Sequence, residues 1–84
     1  MKKVFPDRNI TAEDRIAMAE AYRVYELLED KDKEKIPTHF VETLVYYGDF
    51  KKVLPFENEK DYENYEMSPK GKHLLMYMCT FNHA

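Results

Sequence analysis

Few side chains in this sequence have the type and spacing that catalysis or metal binding requires. The single cysteine, Cys79, lies four residues before His83, so a helix would place both on one face as half of a metal site. No second pair has ligand spacing, and His39 and His73 stand alone. Nothing marks an activated thiol, and the two glycines are too far apart for a phosphate-binding loop. We therefore expect no enzymatic activity, no metal ion and no other cofactor.

The main concentration of ionisable and aromatic side chains lies between residues 57 and 66. This stretch holds five acids, one base and two tyrosines. Tyrosines offer rigid contact area, and carboxylates steer a protein towards a basic surface. The predicted partner-binding residues are therefore Glu57, Glu59, Asp61, Tyr62, Glu63 and Tyr65. In the alternative interpretation, Tyr62 and Tyr65 fold back to cover the edge of the core, and the acids form only a solvated loop.

Three amphipathic helices are expected to position this stretch, at about 12–29, 37–47 and 69–81. In the first, Thr11 is the expected N-cap, with acids in the first turn. An apolar stripe follows at helical spacing. It consists of Ala17, Ala21, Val24 and Leu28, flanked by Met18 and Tyr25.

The opposite side of this first helix carries polar residues interrupted by apolar ones. Glu20, Arg23 and Glu26 lie there, with Ile16 and Leu27 between them. A second apolar strip indicates either a central helix contacted by two neighbours or a strip that binds a partner.

The joint between the first two predicted helices is the clearest structural signal in the sequence. The charge-alternating residues 30–35 predict a solvated turn or one extra helical turn. Pro37 suits the first position of a helix, and Ile36 before it is disfavoured in the α region. Gly48 is placed to end the second helix in the left-handed conformation. The predicted inward residues are Phe40, Val41, Leu44 and Val45.

The remaining segments leave a β alternative open. Ser68 is expected to cap the third helix with Pro69 at its first position. Its inward stripe would be Leu74, Leu75, Met78 and Phe81. Residues 39–47 are rich in strand formers, residues 73–81 form a nearly continuous apolar run, and residues 50–56 could be extended. The predicted fold is thus mainly α, a small three-helix domain with an irregular acidic segment between helices 2 and 3; the alternative is α+β with short strands.

Size and composition limit the classes of function. The chain has 84 residues, 44% hydrophobic and 35% charged, which fits a single folded domain over residues 1–84. A core of this size gives a thin stability margin, so self-association is an alternative to a monomer. The net charge of −3 provides no general attraction to nucleic acid. One cysteine and the absence of a long apolar stretch favour the cytoplasm. Near the N-terminus, Val4, Phe5 and Ile10 are candidate anchors.

Part of the sequence resembles a group of small uncharacterised helical proteins from low-GC Gram-positive bacteria and their mobile elements. The resemblance spans roughly residues 16–81. It runs from Ala21-Tyr22-x-Val24-Tyr25-x-x-Leu28 through Lys35-Ile36-Pro37-x-x-Phe40-x-x-x-Leu44 to Ser68 at the start of an apolar helix. The final helix differs from the plainer aliphatic pattern of the group at Met76, Met78 and Cys79. The resemblance implies no assigned activity and no site residues.

Two functional hypotheses follow. In the first, the protein is a small non-enzymatic interaction module that binds a larger protein with a basic surface, as an inhibitor from a phage or mobile element would bind a nucleic-acid-binding enzyme. In the second, it is a regulator of helix-turn-helix type that binds nucleic acid through Lys51-Lys52 and Lys70-x-Lys72-His73. The second requires phosphate contacts and therefore salt-dependent binding to random DNA, which the first does not.

Overall fold

The computed structural model describes residues 10–81, and these residues form five helices and their connections. The helices are α1 (Ala12–Leu27), α2 (Asp30–Lys33), α3 (Thr38–Tyr47), α4 (Glu59–Asn64) and α5 (Pro69–Thr80). No strand occurs in the described part of the chain, so the mainly helical prediction is confirmed and the α+β alternative is not supported. The predictions for Val4, Phe5 and His83 fall outside the described residues.

Helix α1 is the centre of the fold. Thr11 is its N-cap as predicted: Thr11 Oγ1 accepts from the Asp14 N–H at 3.2 Å. Asp14 Oδ2 also accepts from the Thr11 N–H at 3.0 Å, which completes a capping box. Ala17, Met18 and Ala21 are fully buried, and both α3 and α5 pack on this helix. The helix ends at Leu27, two residues before the predicted end, because Leu28 is already extended.

The start and end of α3 both differ from the prediction. Pro37 is the N-cap, with an extended ψ of 137°, and the helix begins at Thr38. Gly48 is the C-cap of α3, and it is extended, with a φ of −64°, and not left-handed as predicted. The reason is tertiary: the next residue, Asp49, donates its N–H to the Arg15 carbonyl at 3.0 Å, which requires the chain to turn towards α1.

The inward face of α3 is narrower than predicted. Phe40 and Leu44 are buried at 1% and 0% exposure, and Val41 is partly buried against the core. Val45 is 48% exposed, so its assignment to the core is wrong. Successive residues of a helix are 100° apart around its axis, so Val45 lies on a different side of α3 from Phe40 and Leu44, which face the core.

The segment after α3 crosses back over α1. The Phe50 ring lies 5.3 Å from the Tyr22 ring and 4.8 Å below the Arg23 guanidinium, and Arg23 Nε donates to the Val53 carbonyl at 3.0 Å. Ala19 and Glu20 of the same helix are also buried, although Glu20 was predicted on the outer side. The segment that covers Glu20 is the start of α5, where Ser68 hydrogen-bonds its carboxylate. These contacts support the interpretation of α1 as a central helix.

The last part of the described chain contains α4 and α5. The segment 49–66 is not wholly irregular, because it contains α4, which the prediction of three main helices misses. The four-residue α2 corresponds to the extra helical turn that was one of the two expectations for residues 30–35. Ser68 caps α5 and Pro69 begins it, as expected. Leu74, Leu75 and Met78 are buried as predicted, whereas Phe81 is half-buried.

Candidate docking surface

The acids of the predicted site lie on and around α4. Asn58 caps this helix by accepting the Asp61 N–H at 3.1 Å. Asp61 Oδ2 in turn accepts the Glu57 N–H at 2.8 Å, so this acid also holds the chain that enters the helix. Glu57, Glu59, Asp61 and Glu63 are all exposed. Their carboxylates therefore share one short, ordered stretch of surface.

The two tyrosines of the predicted site turn inward from the same helix. Both are half-buried and pack against the core. The Phe56 ring lies 6.1 Å from the Tyr62 ring and 5.4 Å from the Tyr65 ring, which makes a small aromatic cluster. The tyrosines therefore cover the core edge and also bound the acidic surface.

A buried carboxylate, Glu20, connects this cluster to the centre of the fold. Glu20 is 1% exposed and belongs to α1, yet its hydrogen-bond partners, Tyr65 and Ser68, lie just before α5. Glu20 Oε1 accepts from Ser68 Oγ at 2.6 Å, and Glu20 Oε2 accepts from the Ser68 N–H at 3.3 Å. The Tyr65 hydroxyl is a third donor. A buried charge is tolerable only with such hydrogen bonds, so this network fixes the segment 65–68 on α1.

Gly71, in the first turn of α5, leaves space for the Glu20 carboxylate because it has no side chain. Ser68 Oγ, which donates to Glu20, accepts from the Gly71 N–H at 3.1 Å as the helix cap. A Cβ at Gly71 would overlap Glu20 Oε1 and would lie 2.9 Å from Met67 Cγ. Close packing is therefore the reason for glycine at this position. Backbone conformation is not the reason, since Gly71 has no positive φ.

The network changes the ionisation of the Tyr65 phenol. Burial, followed by the hydrogen bond to Glu20 and the negative charge of Glu20, raises the pKa of Tyr65 to about 12. In the folded protein near neutral pH, the Tyr65 phenol therefore keeps its proton and remains a donor to the Glu20 carboxylate.

We expect the Tyr65→Phe variant to show a weaker alkaline loss of stability than the wild type. The folded-state pKa is above the ordinary value, so the phenol's contribution is fully present below about pH 10 and disappears as pH rises through about 12. Urea unfolding at pH values between about 9 and 12 measures the slope of the free energy of unfolding against pH. The control Tyr46→Phe, at a position 80% exposed, should retain the wild-type slope. An unchanged slope in Tyr65→Phe would contradict the assignment.

Two open grooves meet at Tyr65. The first is lined by Lys52, Leu54, Pro55, Phe56, Glu57, Asp61, Asn64 and Tyr65. The second is lined by Tyr62, Glu63, Tyr65, Glu66, Met67 and Lys72. Five of the six predicted partner-binding residues line one groove or the other, and Glu59 does not. The structure therefore brings most of the predicted residues together around one aromatic side chain.

Sequence reasoning missed Glu20, Ser68 as its donor, and Gly71. A signal for Glu20 was present: it lies three residues after Ala17 and four before Val24, so helical spacing places it at the edge of the apolar stripe and not on the far side. Gly71 in the first turn of a predicted helix was a second signal. Glycine weakens a helix, so its presence there indicates that another group approaches the backbone closely.

Three lysines of the nucleic-acid hypothesis have acids beside them. Lys51 and Lys52 are exposed in the turn after α3. Lys70 Nζ lies 3.0 Å from Asp14 Oδ1, and this contact raises the pKa of Lys70. Lys72 lines a groove that it shares with two glutamates. Within residues 10–81, no cluster of His, Cys, Asp and Glu could hold a metal ion.

None of the described helices has the length and hydropathy to cross a lipid bilayer. Comparison with models of protein families, with curated proteins and with solved structures gives no match.

Proposed function

We propose that this protein is a small non-enzymatic interaction module that binds a larger protein through the acidic surface of α4 and the two adjoining grooves. One observation carries the proposal: exposed carboxylates surround an aromatic cluster that the buried Glu20 network fixes in place. A fixed cluster loses little conformational entropy on binding, which makes it a suitable contact region.

The proposed partner presents a basic surface. Four acids line the two grooves, against two bases, Lys52 and Lys72. The acids are Glu57, Asp61, Glu63 and Glu66. Electrostatic complementarity of this kind accelerates association and selects the partner. A surface that binds nucleic acid is basic for the same physical reason, so we propose that the module inhibits a nucleic-acid-binding enzyme by occupying that surface.

The helix-turn-helix alternative receives less support from the distribution of charge. Lys52 and Lys72 line grooves that also contain acids, and Lys70 is paired with Asp14 and, at 3.8 Å, with Glu13. Sequence-specific binding needs several free cations and a helix that can contact base edges.

The test removes charge from the surface without disturbing its fold. Changing Glu57, Glu59 and Glu63 to glutamine takes the net charge from −3 to 0 and leaves Asp61 in place for its hydrogen bond to the Glu57 N–H. The wild-type protein, immobilised at low salt, is used to recover and purify the partner. Association rates of both forms with that purified partner are then measured at several salt concentrations.

We expect the triple variant to associate about tenfold more slowly, with an unchanged melting temperature. The wild-type rate should fall as salt rises. A control triple variant with the same charge change carries Gln at three exposed acids outside the site: Glu29, Glu34 and Glu42. Equal slowing in both triple variants would mean that only net charge matters, and no slowing in either would overturn the proposed surface.

A competition measurement tests the inhibitory part of the proposal. If the partner binds nucleic acid, double-stranded DNA should displace the wild-type module from it, and direct binding of the module to DNA should be absent. Salt-dependent binding of the module itself to random DNA would instead favour the alternative function.

A further inference from the structure

Residues 54–66 lie on the surface of the domain between two buried residues. None of these residues is itself buried, and neither is any side chain of α4, which they contain. Val53 before them and Met67 after them are buried at 0% and 8% exposure. Local opening of a protein needs least free energy where little apolar surface is buried. We call residues 54–66 the α4 loop.

Both ends of the α4 loop are attached to α1. Before the loop, Arg23 Nε donates to the Val53 carbonyl at 3.0 Å. After it, Glu20 accepts from the N–H and the hydroxyl of Ser68. Glu20 and Arg23 are three residues apart and therefore lie on the same side of α1. This is the arrangement of an Ω-loop, a compact surface loop whose ends are held close together.

The hydrogen bonds that shape the α4 loop lie within the loop itself. Asn58 accepts the Asp61 N–H at 3.1 Å, and Asp61 accepts the Glu57 N–H at 2.8 Å. The Tyr65 N–H donates to the Tyr62 carbonyl at 3.2 Å. None of these bonds has to break when the loop moves away from α1 as one body.

Between its two ends, the α4 loop is joined to α1 through Tyr65. The Tyr65 hydroxyl donates to the buried Glu20 carboxylate, and the ring packs on the core. The Phe56 ring contacts the Tyr62 and Tyr65 rings, so it can move with them. Breaking these contacts needs much less free energy than separating α1, α3 and α5, which bury the core between them.

We propose that the α4 loop opens as one unit, by release of the Tyr65 hydroxyl from Glu20, while α1, α3 and α5 stay folded. In the open form, Glu20 keeps its bonds from Ser68, and water replaces the phenol as its third donor. The two grooves that meet at Tyr65 exist only in the closed form. Under the proposed function, the partner therefore binds the closed form and increases its population. The opening itself is a property of the free protein and does not depend on that function.

The test is hydrogen exchange of the free full-length chain, measured for each amide by nuclear magnetic resonance at a pH where reclosing is faster than exchange. The amide at position 65 reports on the α4 loop, and the amide of the buried Leu44 in α3 reports on the core. We expect the first to be protected, but to exchange at least about tenfold faster than the second. Low concentrations of urea should accelerate only the Leu44 amide, because global unfolding exposes far more surface than opening of the loop.

Two variants separate opening of the loop from unfolding of the domain. Tyr65→Phe removes the hydroxyl and destabilises the closed form relative to both the open and the unfolded forms, so both amides should exchange faster by the same factor of about ten. Phe40→Leu is the matched core variant, because the ring neighbours of Phe40 are Tyr77 and Phe81. It destabilises the closed and open forms equally, so only the Leu44 amide should exchange faster, again by about tenfold.

Three results would overturn the proposal. If Phe40→Leu accelerates both amides equally, the loop opens only when the whole domain unfolds. If the amide at position 65 is unprotected in the wild type, the loop has no stable closed form. If Tyr65→Phe leaves exchange at position 65 unchanged, after correction for the intrinsic rate of the new side chain, the hydroxyl does not hold the loop closed.

Discussion

Replacing Phe40 with alanine is expected to lower the free energy of unfolding by about 3–5 kcal/mol. Phe40 is 1% exposed and is the largest fully buried side chain among residues 10–81. Its ring contacts Tyr77 and Phe81 from α5 and the residue after it, while its own helix packs on α1. The loss therefore combines transfer of the ring with a cavity between three helices, in a domain with little core to spare.

Urea unfolding of the wild type and Phe40→Ala measures this change. Tyr46→Ala is the control on the same helix: at 80% exposure it should change the free energy of unfolding by less than about 0.5 kcal/mol. If Phe40→Ala were as stable as the wild type, α3 could not face the core as described.

Replacing Gly71 with alanine is expected to destabilise the wild type by about 1–3 kcal/mol. In an ordinary helix this substitution is favourable by up to about 1 kcal/mol. Here the new methyl group would displace the Glu20 carboxylate from its hydrogen bonds with Ser68 and would press on Met67. The expected sign is therefore opposite to that of helix propensity.

A double-mutant cycle with Glu20→Ala identifies the cause. Glu20→Ala alone should cost about 1–3 kcal/mol, because it leaves the Ser68 and Tyr65 donors without their acceptor. In that background, Gly71→Ala should cost clearly less, since the overlapping Glu20 oxygen is gone and only the 2.9 Å approach to Met67 Cγ remains. An equal cost of Gly71→Ala in both backgrounds would mean that Glu20 is not what limits the space.

The two predictions test different parts of the fold. Phe40 reports on the apolar contact between α3 and α5, whereas Glu20 and Gly71 report on the polar attachment of the docking surface. If only the second were disrupted, the domain would remain helical, but Tyr65 would no longer be fixed beside the grooves. Under the proposed function, binding of the partner would then weaken with a modest loss of stability.

The sequence alone determined the features that depend on neighbouring residues. Capping by Thr11 and Ser68 and the start of α5 at Pro69 were predicted correctly because their partners lie within one helical turn. The apolar stripes gave most of the core for the same reason, since helical periodicity decides which side chains share a face. The acids of 57–66 were also visible in the sequence as the main concentration of charge beside aromatic residues.

Only the tertiary structure decided how these parts are joined. The hydrogen bond from Ser68 to Glu20 spans 48 residues, and that from Arg23 to the Val53 carbonyl spans 30, so no local pattern contains either pair. The extended exit at Gly48 and the exposure of Val45 likewise follow from where α1 lies. Whether a polar side chain is buried depends on donors that another segment brings to it, and those donors are adjacent only after the chain has folded.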